Sequence, residues 1–158
     1  MCNLKNILIK DLDKNVVEYE YFVNKIKEVY DKEYSFYIGS DSQMFYDKTS
    51  VVTAICFYHK GKGCNGFYIK EKIDTKKFNS LRDRMHFEAF RSIEVAFELQ
   101  RIIDADITIH LDIGSDPIKN KTSRFKKELT NMVLAQGFDV EVKPKSWASW
   151  VADWFTKT

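Results

Sequence analysis

The chain has 158 residues, with 25 Lys+Arg against 23 Asp+Glu and a formal net charge of +2. That length fits one domain, and 44% hydrophobic with 15% aromatic residues supplies a core without disulfides or a structural metal. Only 2 Pro and 6 Gly beside 30% charged residues exclude a disordered or fibrous chain, and the near-balanced charge excludes a uniformly basic histone-like protein while leaving room for a local basic face.

No apolar run approaches the ~20 residues that a membrane helix needs. Met1 to Lys10 has no apolar leader core, so no secretory signal and no membrane association are expected. The 3 cysteines, Cys2, Cys56 and Cys64, form no CxxC pair; an odd count of this kind suits reduced thiols and a cytoplasmic setting.

In chain order, Val16, Tyr19, Val23, Ile26 and Tyr30 recur at three- and four-residue steps and predict a helix over 16–30. It belongs to a helical extension over about residues 1–33. Three strands follow in quick succession, Tyr34 to Gly39, Val51 to His59 and Gly66 to Ile73, with a glycine-rich hairpin loop from Gly61 to Gly66. Close succession predicts an antiparallel meander. Leu81 to Ile103 reads as a long helix, Ile107 to Ile113 as a fourth strand, and Ser123 to Gln136 as a lysine-rich helix stopped by Gly137. Phe138 to Val142 is the fifth strand. Pro144 breaks it, and Ser146 is placed to cap a last helix over Trp147 to Lys157. This order predicts an α/β fold: a mixed sheet with helices on its faces.

Four acidic residues stand where chemistry is plausible. Asp41 follows the first strand of the meander, and Asp112 ends the fourth strand. A carboxylate among apolar strand residues is costly unless paired or bound to a cation. His110 and Asp112 share one strand parity, opposite to Ile109, Leu111 and Ile113, so this face is either the wetter side of the sheet or a site. On the long helix, Glu88 flanks the stripe of Met85, Ala89, Ile93 and Ala96; the wheel leaves a boundary glutamate and a ligand equally open. Glu94 and Glu98 fall on the far side with Arg91 and Arg101, as a solvated, salt-bridged face would. Asp153 lies off the apolar side of the last helix, formed by Trp147, Trp150, Val151, Trp154 and Phe155. Taken alone it reads as a solvent-facing aspartate.

Other signals carry less. Gly61, Gly63 and Gly66 match GxGxxG but join two strands, whereas a dinucleotide fingerprint opens a helix. Asp11-Leu12-Asp13 resembles the DxD of aspartyl phosphotransferases without its Gly-Thr, and remains a third, weaker functional reading. The histidines lack zinc spacing, and no GxSxG elbow is present. Basic residues cluster at Lys119 to Lys127, at Arg82 and Arg84, and at Lys143 and Lys145. Solubility accounts for such clusters in general; here all three neighbour the segments that carry the acids.

The order strand-Asp, helix-Glu, strand-Asp, helix-Asp resembles that of the ribonuclease H-like superfamily. More closely, the chain resembles the YkuK-like family of small bacterial proteins with that fold. The carrying stretches are Ile38 to Gln43, the Gly61-Lys62-Gly63 hairpin, Arg84 to Glu88, His110 to Ile113, and Lys143 to Ser149 followed by Val151 to Asp153. The resemblance implies a five-stranded ribonuclease H-like sheet in the order 3-2-1-4-5 with strand 2 antiparallel. It implies Asp41, Glu88, Asp112 and Asp153 as catalytic and metal-binding residues of a phosphodiester hydrolase using Mg²⁺ or Mn²⁺, two ions in all, with Asp41 bridging them. Ser42, Gln43, Arg84, Lys143, Lys145 and Ser146 would meet a nucleic acid: RNA, an RNA–DNA hybrid or DNA. The alternative is a catalytically silent module of the same fold that binds nucleic acid or protein.

Overall fold

A computed structural model describes residues 2–114 and 116–157. Its centre is a sheet whose middle strands are the longest. β1 (Ile9–Asp11) and β2 (Val16–Val17) precede helix α1 (Tyr19–Asp31). The meander β3 (Ser35–Phe45), β4 (Lys48–His59) and β5 (Gly63–Asp74) leads into α2 (Leu81–Gln100). Then come β6 (Ile107–His110), α3 (Lys126–Ala135), β7 (Asp139–Glu141) and α4 (Trp147–Thr156).

The sheet order is β2-β1-β5-β4-β3-β6-β7. The expected five-stranded sheet is therefore corrected to seven strands. The five anticipated strands keep their relative order, with β4 antiparallel to β3 and β6 parallel to it. The additional pair is the N-terminal hairpin, so the first thirty-odd residues are not purely helical, and Val16 is a strand residue rather than a helix start. Ile9 and Asp11 take partners on the edge of β5, at Ile69 and Phe67. Asp11 builds the turn between β1 and β2: its Oδ1 accepts from the backbone N–H of Asp13 and Asn15, both at 2.9 Å. The turn accounts for an aspartate at this position without a catalytic role.

Strand parity sorts the side chains into two layers. Phe36 and Ile38 of β3, Ile55 and Phe57 of β4, and Ile107 and Ile109 of β6 face the larger core, which α1, α2 and α3 cover. Val52, Ala54, Cys56 and Tyr68 face the other side, where Ala148, Ala152 and Phe155 of α4 pack on them. α2 starts at Leu81 because Ser80 caps it: its Oγ accepts from Asp83 N–H at 3.1 Å, and Asp83 returns a bond to Asn79 N–H at 3.1 Å. The far side of α2 is not solvated as expected. The N-terminal segment crosses it, with Cys2 N–H donating to Glu94 at 2.7 Å and Leu4 N–H to Glu98 at 3.3 Å. Arg91 bridges Glu94 to Glu71 of β5. Glu94 is buried, and its carboxylate is satisfied by this network.

Helix α4 is short, and an isolated ten-residue helix is marginal in water. Three contacts seat it. At Gly39 of β3 the helix backbone comes so close that an added Cβ would lie 2.4 Å from Ser149 N and 2.6 Å from Ala148 C. At its start, Ala148 N–H donates to His110 Nδ1 at 2.9 Å. At its end, Tyr68 stacks on Phe155 with ring centroids 4.1 Å apart, and Lys70 Nζ donates to Phe155 O at 3.1 Å. Ser146, expected to cap the helix with its side chain, makes no such bond and is fully buried; a histidine distant in sequence does that work. The buried side of α4 is small, Ala148, Ser149 and Ala152 with Phe155, which lets the helix lie close. Trp150 and Trp154, expected on the apolar side, are exposed instead.

Gly39→Ala should therefore lift α4 off the sheet and cost about 2 kcal/mol or more, as overpacking against rigid backbone does. Urea unfolding checks it: a midpoint equal to wild type would show that the contact yields freely.

Candidate functional site

The acids gather where β6 ends beside β3. β3 and β6 run parallel with Gly39 opposite His110, so Asp41 and Asp112 follow two residues later on neighbouring chains and, by parity, on the α4 face. Asp41 lies inside β3, not after it, because β3 stays paired with β4 as far as Phe45. Asp112 lies just past β6, which is shorter than expected and ends at His110. Glu88 comes from the opposite face on α2. It reaches the gap at the end of β6, a slot of about 10 Å³ lined by Ser40, Glu88, His110 and Asp112, room for about one water molecule. Asp153 descends from α4, and its carboxyl is hydrogen-bonded to that of Asp41. The structure thus brings the other three sequence-predicted acids within electrostatic reach of Asp41.

The environment of Asp41 and Glu88 resists their ionisation. Burial pushes the Asp41 carboxyl up to about 9, reinforced by the charge of Glu88, the hydrogen bond with Asp153 and the charge of Asp112. Burial pushes Glu88 up to about 8; Ser42 and Arg84 oppose that rise, and Asp112 adds to it. Ser42 donates its hydroxyl to Glu88 Oε2 and fixes the carboxylate's orientation. Ser40 extends the polar seam behind it, with its hydroxyl 2.6 Å from that of Ser92 and 2.9 Å from that of Thr53.

Lysines supply part of the missing positive charge. Lys143 Nζ sits 2.9 Å from Asp112 Oδ1, and Lys157 Nζ sits 3.7 Å from Asp153 Oδ2. Among the described residues no three His, Cys, Asp or Glu side chains are disposed as a ready-made cation cage. The oxygens converge in charge, while their positions suit lysine and shared protons.

The other candidates are distributed unevenly. Arg84 stands one turn before Glu88, and its Nε is buried without a hydrogen-bond partner among the described residues. Gln43 Oε1 accepts from Thr156 Oγ1 at 3.3 Å and links β3 to the end of α4. Lys145 is exposed on the loop before α4. Ser146 is buried and faces no solvent, so it cannot meet a ligand in this arrangement.

Sequence reasoning missed His110 as a site residue. Burial holds its imidazole down to about 4, so it is neutral near pH 7. Nδ1 accepts from Ala148 N–H and therefore carries no proton; the hydrogen is on Nε2. Its ring also packs between Tyr37 and Trp147, with centroids 5.1 and 5.2 Å away. The one available signal was its shared parity with Asp112.

Residues 18–157 match the family described as Ribonuclease H-like. The chain belongs to that family. It is also 28% identical over 173 aligned positions to the uncharacterized protein YkuK of Bacillus subtilis (strain 168), covering 96% of this chain and 98% of that protein. The ribonuclease H-like sheet accounts for the acids meeting at the ends of β3 and β6, with α2 and α4 on opposite faces. Among the described residues no helix is long and apolar enough to cross a membrane.

The raised carboxyls fix a direction for stability. The folded chain holds protons on Asp41 and Glu88 up to about pH 9 and 8, whereas the unfolded chain releases them near pH 4. Above pH 5 the folded state therefore binds more protons, and stability falls as pH rises, by at most ~1.4 kcal/mol per pH unit for each group. Between pH 7 and 8.5 His110, neutral when folded, opposes the decline only slightly near pH 7, where the unfolded imidazole is still partly protonated, and not above about pH 7.5. Thermal melts in EDTA should decline across that window. Millimolar Mg²⁺ should flatten the decline, and Asp41→Asn should remove at least half of it. A wild-type melting temperature constant across the window would contradict the clustered-acid description.

Proposed function

We propose that the protein is a metal-dependent nuclease hydrolysing phosphodiester bonds in a nucleic acid. The observation that carries this reading is the convergence of Asp41, Glu88, Asp112 and Asp153 on one end of the sheet, with Asp41 and Glu88 both resisting ionisation. Four hard carboxylate oxygens short of positive charge suit Mg²⁺ or Mn²⁺, and membership of the ribonuclease H-like family points the same way.

In this reading Asp41 is the central ligand, since it alone neighbours the other three acids. Bound divalent ions would supply the charge that polarises a phosphodiester and lowers the pKa of a water. The chain's own part is to hold the oxygens and release protons. Asp41 and Glu88 would hold the ions as carboxylates, free of the protons they otherwise keep. Ser42 keeps Glu88 oriented. With the ions bound, Asp112 and Asp153 would no longer need Lys143 and Lys157, and Lys143, with Lys145 and Arg84, would be available to phosphate oxygens. Gln43 holds the end of α4 and so keeps Asp153 in place. Neutral His110 holds the start of α4 and bears no charge that would compete with a cation.

A second reading has its own observation. Lys143 already neutralises Asp112, and no ready-made cage exists among the described residues. That arrangement suits a silent module that binds nucleic acid or protein without turnover.

Labelled RNA, DNA, RNA–DNA hybrid and junction substrates incubated with Mn²⁺ separate the two. The nuclease reading expects cleavage that EDTA abolishes and that Asp41→Asn lowers about a hundredfold or more, with Glu88→Gln and Asp112→Asn also severe and Asp153→Asn mildest. Cleavage surviving Asp41→Asn, or salt-sensitive binding with no cleavage of any substrate, would reject it.

A further inference from the structure

Beside the acids lies a groove of which the chemistry above uses only Arg84. It opens between the end of β3 and the start of α2, holds about 300 Å³, and is lined by Met44, Thr75, Phe78, Asn79, Leu81 and Arg84. Met44 is three residues beyond Asp41 and 52% exposed, at a position where strand pairing does not require it to be apolar. Phe78 is held edge-on against Phe87, with centroids 5.4 Å apart, so its ring is a fixed wall. Arg84 lines the same groove with its guanidinium side chain, and its charge also acts on Glu88. Leu81 is shared with a second groove of about 450 Å³, where Asn120, Lys121, Ser123 and Arg124 line the wall. Lys121 and Arg124 have no carboxylate partner among the described residues, whereas nearby Arg82 is held by Glu128 through two bonds.

An apolar groove walled by Met44 and Phe78, with the Arg84 guanidinium toward the acids and Lys121 and Arg124 in the adjoining groove, matches a nucleotide. The base fits the slot, and its phosphates meet the cations. We infer that the Met44–Phe78–Arg84 groove holds an unpaired nucleobase of a single-stranded nucleic acid, whose adjoining phosphates run over Lys121 and Arg124. A base locked in a duplex presents only its edge and cannot enter between Met44 and Phe78, whereas an unstacked base presents a face to the Phe78 ring. This rests on the nuclease reading and names its substrate class; RNA and DNA share the chemistry.

The test is fluorescence anisotropy of the full chain in EDTA, where binding is read without cleavage. The probes are fluorescein-labelled single strands of about twelve nucleotides, as RNA and as DNA, and the matching duplexes. Single strands should bind more tightly than duplexes. Phe78→Ala should weaken single-strand binding about tenfold or more with the duplex unchanged, and Phe78→Tyr, which keeps the ring, should restore it. Lys121→Ala with Arg124→Ala should reduce the salt slope by about 1.4, while Phe78→Ala leaves that slope intact. Should circular dichroism show Phe78→Ala unfolded, Met44→Ala replaces it with the same expectation. Unchanged single-strand affinity, equal weakening of the duplex, or no binding of any probe would overturn the inference. So would loss on Trp154→Ala alone, which would put the strand on α4. Parallel Mn²⁺ cleavage keeps the two proposals apart: binding that depends on Phe78 without cleavage rejects the nuclease and keeps the groove, and cleavage indifferent to Phe78 does the reverse.

Discussion

The architecture of the site depends on one close approach, the backbone of α4 lying on β3 at Gly39. Any side chain at that position would meet Ser149 N at contact distances that real Cβ atoms do not adopt. Because the glycine is there, a helix too short to persist alone rests on the sheet, pinned at its ends by His110 and by Lys70 with Tyr68. Asp153 reaches Asp41 only through that seat. The same helix closes the second core over Val52, Ala54 and Cys56, so the packing that completes the fold and the packing that assembles the acids are one set of contacts.

A second constraint follows from where the acids meet. Carboxylates that are half-buried and close together cannot all be charged without compensation. The chain manages this in three ways at once: protons retained on Asp41 and Glu88, a hydroxyl from Ser42, and ammonium groups from Lys143 and Lys157. A proton or an ammonium group carries a single positive charge, so none of these compensates the acids as fully as a divalent ion in the same place. A site built only for stability would have closed on fixed ion pairs such as Arg91 with Glu71 and Glu94, which the chain forms only one layer away. The contrast between that largely buried, directly paired network and the acid cluster, whose lysine partners are more exposed, is the physical case for function at the cluster.

Much of this was legible in the sequence, and the gaps have causes. Strand and helix periodicities located the meander, α2 and the βα units, since those patterns are local. The alternation around Asp112 also showed that it shares a face with His110. The N-terminal hairpin was not legible, because β1 is held by pairing with β5, some sixty residues away, and its three residues carry little periodic signal. The burial of Glu94 is not legible, since a helical wheel does not show which distant segment crosses that face. The facing of α4 is not legible either: large aromatics suggest the buried side, whereas the close seat on Gly39 selects small residues there. Four acids could be nominated by position and by family resemblance. Their shared protons, the pairing of Lys143 with Asp112 and the burial of Ser146 required three dimensions.

The most direct test of the central claim, that these four acids form one cation-accepting site, is an anomalous diffraction map from crystals of the full chain soaked in Mn²⁺. The account predicts anomalous density among Asp41, Glu88, Asp112 and Asp153, with Asp41 bound to each ion and Lys143 displaced from Asp112. Density elsewhere, or a lysine-paired cluster free of density at millimolar Mn²⁺, would contradict it.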